Sequence, residues 1–541
     1  MVFNPISLKL SNLCGLKAVG LFRKRHSEGF LTGSILILFC AMALVGMFHH
    51  EMWRDEAETW MIARDSPDLV SLFEHQHYTG HPSLWYLLLF ALSRLTQDPR
   101  AMALLHLFIA SLSVYIFLRY SPFTPLQKGL FVFGYFPFYE YALISRAYAL
   151  GLFFALLFCA VFQTRKKTYW VLALILVLMA NTSAYGAMMA IVLGVALAAE
   201  AILEREARRT LSERKGDAAL SLAIWFFGIA IAILSMIRPG DSGIHTEWYL
   251  TFDRTRLIQT LATVWRGYIP VPRLNTLHFW GTNILGHLTE AFPQMAWIGA
   301  AGVSLGILSF LVIGLVRKPF VLFFFISSTL FVLLFTYLKF MGHIRHHGHL
   351  FILLIMALWL SRTLRETPSP GNKPGHLQAG RFLKQNLVLT GLLGIHLFAG
   401  LFAWTMDLKY PFSATPLAAD FIKTSHLEKM DMIGYKDYTS QGIAGLLSRQ
   451  IYYPQKEGFG TFVRFDTKRK QDLACPELVQ SLSSFIGGSP KTFLLISNEE
   501  LPCPSGDVLL TPIKRFPVSI VQDEQVILYL VKKKDLSGAG R

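Results

Sequence analysis

A polytopic α-helical membrane domain followed by a soluble α/β domain is the fold class this sequence predicts, and three observations predict it. The chain of 541 residues is 53% hydrophobic and only 16% charged, with a mean hydropathy of +0.42, whereas a soluble protein carries about a quarter charged residues. Apolar runs of about 20 residues recur, each flanked by charge, and that is the length needed to cross the hydrocarbon core. From Asp407 to Arg541 the long runs stop, and short apolar strands alternate with helical patterns.

Charge orders the spans. The formal net charge of +16 comes from short basic clusters between apolar runs, which is the positive-inside pattern and not a nucleic-acid surface. A basic tail, residues 1–28 with Lys9, Lys17, Arg23, Lys24 and Arg25, stays in the cytoplasm, and Gly29–Phe48 is the first span. Ala41-Met42-Ala43 resembles a signal cleavage site, but the apolar run continues past it, so the helix is expected to stay uncleaved. An external loop, 49–98, follows. Its run Pro82–Thr96 is short and holds Ser83, Ser93 and Arg94. If it crossed, Arg165-Lys166-Lys167 would fall outside, so it is read as an interfacial helix. Further spans are expected at Pro99–Tyr120, Pro125–Ile144, Ala147–Gln163, Thr168–Ala184, Tyr185–Leu203, Ala218–Ile237, Gln294–Val316, Phe320–Leu338, Gly348–Leu360 and Asn386–Met406. A long external segment, Arg238–Pro293, separates two of them. About eleven spans result, with the membrane domain at 29–406 and every short basic loop on one side, including Arg205, Arg208, Arg209, Arg214, Lys215, Arg317, Lys318, Arg362, Arg365, Lys373, Arg381 and Lys384.

In the domain 407–541, Met430–Gly434, Thr461–Phe465, Thr492–Ser497 and Val526–Val531 read as strands. Pro416–Thr424, Gln441–Ser448 and Pro476–Ile486 read as helices, giving a small α/β layer structure with no G-x-G-x-x-G. Cys475 and Cys503 could pair if this domain is extracytoplasmic, although spacing alone does not fix connectivity. Cys14, Cys40 and Cys159 match no metal-site spacing.

Chemistry gathers in HHEMWRDEAETW. Asp55-Glu56 follows the first span, where the chain should leave the bilayer. Acids in the first turn of a helix favour its dipole, which is the bland reading. The functional reading places a rigid carboxylate within reach of a membrane-embedded substrate. Two adjacent acids cannot both aim at one atom, so one is the base and the other orients it, binds metal or binds sugar. Arg146 in ISRAYAL and Arg345 in GHIRHHGHL fall on the same external face as Asp55. They either snorkel or, against the positive-inside rule, present planar forks to a phosphate. His75, His77, His81, His343, His346, His347 and His349 cluster beside them, but without an accompanying ligand pattern they make a weak metal signal.

These residues, W-R-D-E-A after a first span, G-H-P-S-L-W-Y-L-L-L closing the loop, S-R-A-Y-A-L opening a span and an arginine loop before a late one, resemble the polyprenyl-phosphate-sugar glycosyltransferases of the GT-C fold. Within that fold they are most similar to the protein O-mannosyltransferase and aminoarabinose-transferase group of glycosyltransferase family thirty-nine. The resemblance covers residues 29–406. It implies an extracytoplasmic site under the first loop, a lipid-linked sugar donor, an acceptor on a glycan, lipid or protein, and residence in a bacterial inner membrane. It also implies that Asp55 is the catalytic base and that Glu56, His81, Arg146, Tyr148, Arg345 and His346 contact substrate. Glu56 and His81 would be the weak candidates for a divalent metal, which is possible but not required. The sequence departs from the family pattern at Ser83, at Ala147 and at Arg345-His346, where the family shows proline, proline and Arg-Tyr. Those departures leave the donor subclass open. The competing readings are a flippase or transporter of lipid-linked sugars, for which Glu140 is the nearest intramembrane acid, and a ligase using a lipid-pyrophosphate donor. A sensor has no positive evidence.

Overall fold

The computed structural model describes residues 29–244, 247–364, 376–487, 489–503 and 507–534. The basic tail 1–28 and the loop residues Arg365 and Lys373 lie outside the described residues, as do the side chains of Arg381 and Lys384.

Helix α1 (Gly29–His49) leads into three short helices, α2 (Arg54–Asp65), α3 (Leu69–His77) and α4 (Leu84–Ser93). Then come α5 (Arg100–Tyr120), α6 (Pro125–Val132), α7 (Tyr148–Val161), α8 (Trp170–Ala180), α9 (Ala184–Leu203) and the short α10 (Arg205–Glu213). The membrane part closes with α11 (Lys215–Met236), α12 (Arg254–Tyr268), α13 (Leu285–Ala291), α14 (Pro293–Leu315), α15 (Pro319–Leu338), α16 (Ile344–Thr363) and α17 (His376–Lys409). Among the described residues nine helices are long and apolar enough to cross a membrane: α1, α5, α7 with its extension to Lys166, α9, α11, α14, α15, α16 and Asn386–Lys409 of α17. The chain is therefore a polytopic helical membrane protein.

Two of the expected spans are not continuous helices, which corrects the count of eleven full crossings. Pro125–Ile144 divides into α6 and a π-helical turn, Tyr135–Glu140, every residue of which is buried. Pro137 supplies no N–H in this turn, so the regular ladder cannot run through it. Thr168–Ala184 contains only the eleven residues of α8, about 16 Å at the helical rise and short of the hydrocarbon thickness. It ends at Asn181-Thr182-Ser183, where the Ser183 hydroxyl accepts from the Gly186 N–H at 3.0 Å and caps α9.

The helix ends gather at two ends of the bundle. At one end of the bundle the end of α1, the loop before α7, the start of α16 and the end of α17 meet, through His50 with Asp407 and Tyr141 with the Arg345 carbonyl. At the other end Arg362 reaches Asn386 and the Pro122 carbonyl, and Arg165 pairs with Glu200. The expected external segment Arg238–Pro293 is not a plain loop. Its helix α12 packs on α14 and α16, so closely that a Cβ on Gly267 would lie 2.5 Å from the His347 carbonyl. The expected interfacial helix is α4, which lies against α2.

The C-terminal domain contains α18 (Thr415–Thr424), β1 (Met432–Gly434), α19 (Asp437–Leu447), β2 (Ile451–Tyr453), β3 (Gly458–Gly460), α20 (Cys475–Ile486), β4 (Phe493–Ser497), β5 (Val508–Arg515) and β6 (Ile527–Lys533). The sheet order is β3-β2-β1-β4-β6-β5. β1 runs parallel to β2 and β4 (Ile433 opposite Tyr452 and Leu495), and the remaining pairings are antiparallel. Alternation along the strands sorts the two cores. Met432, Leu494 and Leu528 face α18 and α19, while Ile433, Leu495 and Tyr529 face α20. Cys475 and Cys503 are joined by a disulfide.

The expected strand Thr461–Phe465 is absent, and β2, β3 and β5 take the places sequence alternation did not assign. The apolar residues of that stretch serve a different contact. Phe462 packs on His75 of α3, and Val463 donates its N–H to Gln441. The Thr461 hydroxyl donates to Asp65, and Asp466 forms an isolated antiparallel bridge with Ser242. The segment thus joins the domain to the stretch between α1 and α5 and to the loop after α11. A second seam is α19 on α2, where Arg64 donates to the Gly445 carbonyl at 3.1 Å and Met61 occupies the space a side chain on Gly445 would need.

Candidate active site at the end of the helix bundle

Asp55 and Glu56 begin α2, where the unpaired N–H groups of a helix favour negative charge, yet their side chains do different things. One Asp55 oxygen lies 3.1 Å from Arg146 and 3.9 Å from Arg345, and the other lies 3.9 Å from Arg54. One carboxylate is thus surrounded by three guanidinium groups. Burial works to raise the Asp55 pKa, but Arg146, Arg345 and Arg54 outweigh it and hold the carboxyl below the ordinary carboxylate range. Asp55 keeps about a quarter of its side-chain surface open (25%), so a ligand can reach it.

Glu56 turns away from this cluster and is buried. It accepts from the Trp53 N–H at 3.2 Å, from the Ser145 N–H and from His50 at 3.2 Å. These bonds fasten the start of α2 to the loop that carries Arg146. That loop is held on its far side by His106 of α5, whose ring contacts the Ala142 and Arg146 backbone. His50 also contacts Asp407 at 2.8 Å. Burial disfavours charge on this ring, but Asp407 and Glu56 outweigh it and raise the His50 pKa well above the ordinary value.

Arg345 sits in the first turn of α16, with its guanidinium 5.3 Å from the Trp53 ring and 5.2 Å from the Trp280 ring. Its Nε is buried with no hydrogen-bond partner. Beyond Trp280, Glu140 accepts from the Trp280 indole and the Tyr135 hydroxyl, each at 3.2 Å. A small cleft opens beneath the acid, lined by Thr59, His81, Trp85, Tyr86, Arg146 and Tyr148. Burial and Arg146 push the His81 pKa down to about 3, so its ring is neutral there. His346 does not point at the acid. It accepts from the His343 N–H at 2.9 Å and lies between Tyr185 and Tyr148 in a ring cluster with His349.

The geometry thus brings Asp55, Arg146 and Arg345 together, with His81 and Tyr148 in the adjoining cleft. Glu56 becomes a fastener and His346 part of an aromatic wall. Among the described residues no group of three or more His, Cys, Asp or Glu side chains is placed to hold a metal ion, so neither Glu56 nor His81 belongs to such a group.

Sequence reasoning missed three contributors. Arg54 carries charge at Asp55, packs over Trp53 and Tyr438, and pairs with Asp523 of the C-terminal domain. Glu524, buried beside it, accepts from the Arg54 N–H at 3.1 Å and the Ser413 hydroxyl at 2.8 Å, and burial pushes its pKa up to about 7. Glu58, one turn along α2, is pushed up to about 8 by burial and by Asp55. The adjacency of Arg54 and Glu58 to the acid pair was the only available signal; Glu524 gave none.

No protein-family model matches the chain, and no curated protein matches its sequence. Among solved structures it is similar to ArnT from Cupriavidus metallidurans in the apo state, at 13% identity over 92% of this chain and 98% of that one, with a TM-score of 0.44. It is also similar to ArnT from the same organism bound to undecaprenyl phosphate, at 12% identity over 91% and 97% of the two chains, with a TM-score of 0.41.

Proposed function

We propose that this protein is an integral-membrane glycosyltransferase that moves a sugar from a polyprenyl-phosphate donor to an acceptor hydroxyl on the extracytoplasmic face. The observation that carries the proposal is one carboxylate set against three guanidinium groups at the end of a transmembrane bundle. Positive charge in excess of the acid suits a phosphate brought there by a lipid.

Transfer between sugars ordinarily needs an acid for the leaving oxygen and a base for the attacking one. A phosphate leaves as a stable anion and needs no proton, so fixed positive charge replaces the acid. Arg146 and Arg345 take that role. The acceptor oxygen bonds to the anomeric carbon, the carbon–phosphate oxygen bond breaks, the acceptor proton passes to Asp55, and configuration inverts. Arg146 engages Asp55 at 3.1 Å, which lowers its basicity. A phosphate that draws the guanidinium groups to itself releases Asp55 to act as the base, so basicity appears with the substrate.

Two further features support the side and the class. The Cys475–Cys503 disulfide suits an oxidising compartment, and the short basic loops gather at the opposite end of the bundle. Glu140, the acid a transporter would use, is tied to Trp280 and Tyr135, which favours transfer over transport. The acceptor is a glycan, lipid or protein bearing a free hydroxyl.

The test is to incubate purified protein with radiolabelled polyprenyl-phosphate sugars and a membrane extract. Wild type is expected to transfer label to an acceptor. Asp55→Asn should lose about a hundred- to ten-thousandfold in rate while binding donor undiminished. A folded Asp55→Asn protein that no longer binds donor, or wild type that carries label across vesicles without transferring it, would overturn the proposal.

A further inference from the structure

Asp407, His50, Glu56 and the Ser145 N–H form a continuous polar chain, buried where α1, α2, α17 and the loop before α7 meet. His50 Nδ1 faces Asp407 at 2.8 Å, and its Nε2 faces Glu56 at 3.2 Å. An ionised carboxylate only accepts, so with Glu56 and Asp407 both ionised the two ring nitrogens both donate and the ring is an imidazolium. Its side chain is only 5% exposed, and those of Glu56 and Asp407 are 1% and 2% exposed. The second Glu56 oxygen accepts from Ser145, the residue before Arg146. Glu56 also follows Asp55 in sequence, so it is tied to both members of the Asp55–Arg146 pair.

We infer that His50 is a positioning residue, which sets the spacing of Asp55 and Arg146 by holding Glu56 between α2 and the Ser145–Arg146 loop. The inference rests on the glycosyltransferase reading above. Of the other polar groups around it, the Tyr139 hydroxyl faces Asp407, and only the ring joins Asp407 to Glu56 among the hydrogen bonds of these residues. Glu51 is occupied by the Phe412 N–H at 2.6 Å, and His106 is committed to the Ala142 and Arg146 backbone. The face of the His50 ring packs on Phe412, with centroids 4.4 Å apart, which fixes its plane. Without a donor between them, Glu56 and Asp407 would be two buried carboxylates facing each other, and Glu56 would leave the loop. A displacement of an ångström at the Asp55–Arg146 gap is enough to cost about a hundredfold in rate.

The experiment measures kcat and donor Kd for wild type, His50→Leu, His50→Gln, Glu56→Gln and the His50→Leu/Glu56→Gln double variant in detergent, beside their melting temperatures. His50→Leu is expected to lower kcat about tenfold to a hundredfold while donor Kd, set also by Arg345, stays within about threefold. His50→Gln keeps one donor and should recover part of the loss; it also serves if His50→Leu does not fold. The double variant should be no slower than the slower single one, because the residues act as a unit. An unchanged kcat in folded His50→Leu and His50→Gln, or losses that simply add in the double variant, would overturn the inference. These outcomes are distinct from failure of the transferase reading, which would appear as an inactive wild type or an active Asp55→Asn.

Discussion

Arginine meets carboxylate at both ends of this helix bundle, and the two meetings are built differently. At the basic end Arg165 grips Glu200 with two parallel hydrogen bonds, 2.9 and 3.1 Å, and stacks on Phe162 at 3.9 Å. Both side chains are only 7% exposed and their charges balance one to one. At the other end Asp55 faces three guanidinium groups, Arg146 at 3.1 Å and Arg345 and Arg54 at 3.9 Å, stays partly open, and leaves the Arg345 Nε without a partner; of the three, Arg54 is also paired with Asp523. A closed, balanced pair holds helices together. An open, unbalanced cluster holds charge in reserve for something that is not protein, and that distinction separates scaffold from site more sharply than the presence of buried charge does.

The contrast can be broken from the scaffold side first. Glu200→Gln leaves Arg165 buried without its counter-charge, and removing one partner of such a pair costs roughly 3–5 kcal/mol. A large fall in melting temperature with donor affinity unchanged in the surviving protein is expected; a weakened donor affinity would mean that the two ends are coupled. On the site side, Arg345→Ala removes a charge-assisted contact worth about 1.5–3 kcal/mol, so donor binding, read by calorimetry, should weaken about ten- to hundredfold with little change in melting temperature. Normal donor affinity in that variant would return Arg345 to the scaffold class.

The smallest effect sharpens the comparison. Glu58 keeps its proton in the folded protein to about pH 8, against an ordinary value of 4.5. Between those values the folded state binds more protons than the unfolded state, so stability falls as pH rises. Glu58→Gln has no proton to lose. Its melting temperature should match wild type at low pH, rise above it through that window, and exceed it by a constant margin above about pH 8. A constant difference at all pH values would show that Glu58 is ionised like any surface acid.

Much of this arrangement was legible in sequence because charge against the hydrophobic pattern is a local signal. Asp55, Arg146 and Arg345 each interrupt the expected order at a span boundary, and the alternation of spans was enough to put them on one face. What could not be read depends on contacts between distant residues. His50 and Asp407 are separated by 357 positions, and nothing near either marks the other. Two adjacent acids must part company, but that Glu56 turns to the Ser145 N–H and not to substrate depends on a residue 89 positions away. The span Pro125–Ile144 keeps an apolar pattern through Pro137, so hydropathy gave no sign of the π-helical turn. Thr461–Phe465 alternates like a strand, but its alternation serves a contact with α3.

The clasp of Asp523 and Glu524 on Arg54 has a consequence for how the protein comes to exist. Arg54 emerges from the ribosome early, and the residues that hold its guanidinium and its backbone N–H come more than four hundred and sixty residues later. The neighbourhood of Asp55 is therefore finished only after the C-terminal domain has been made. A nascent chain, already threaded through the bilayer with its arginines in place, has no completed pocket around Asp55, and one truncated before Asp523 never acquires it.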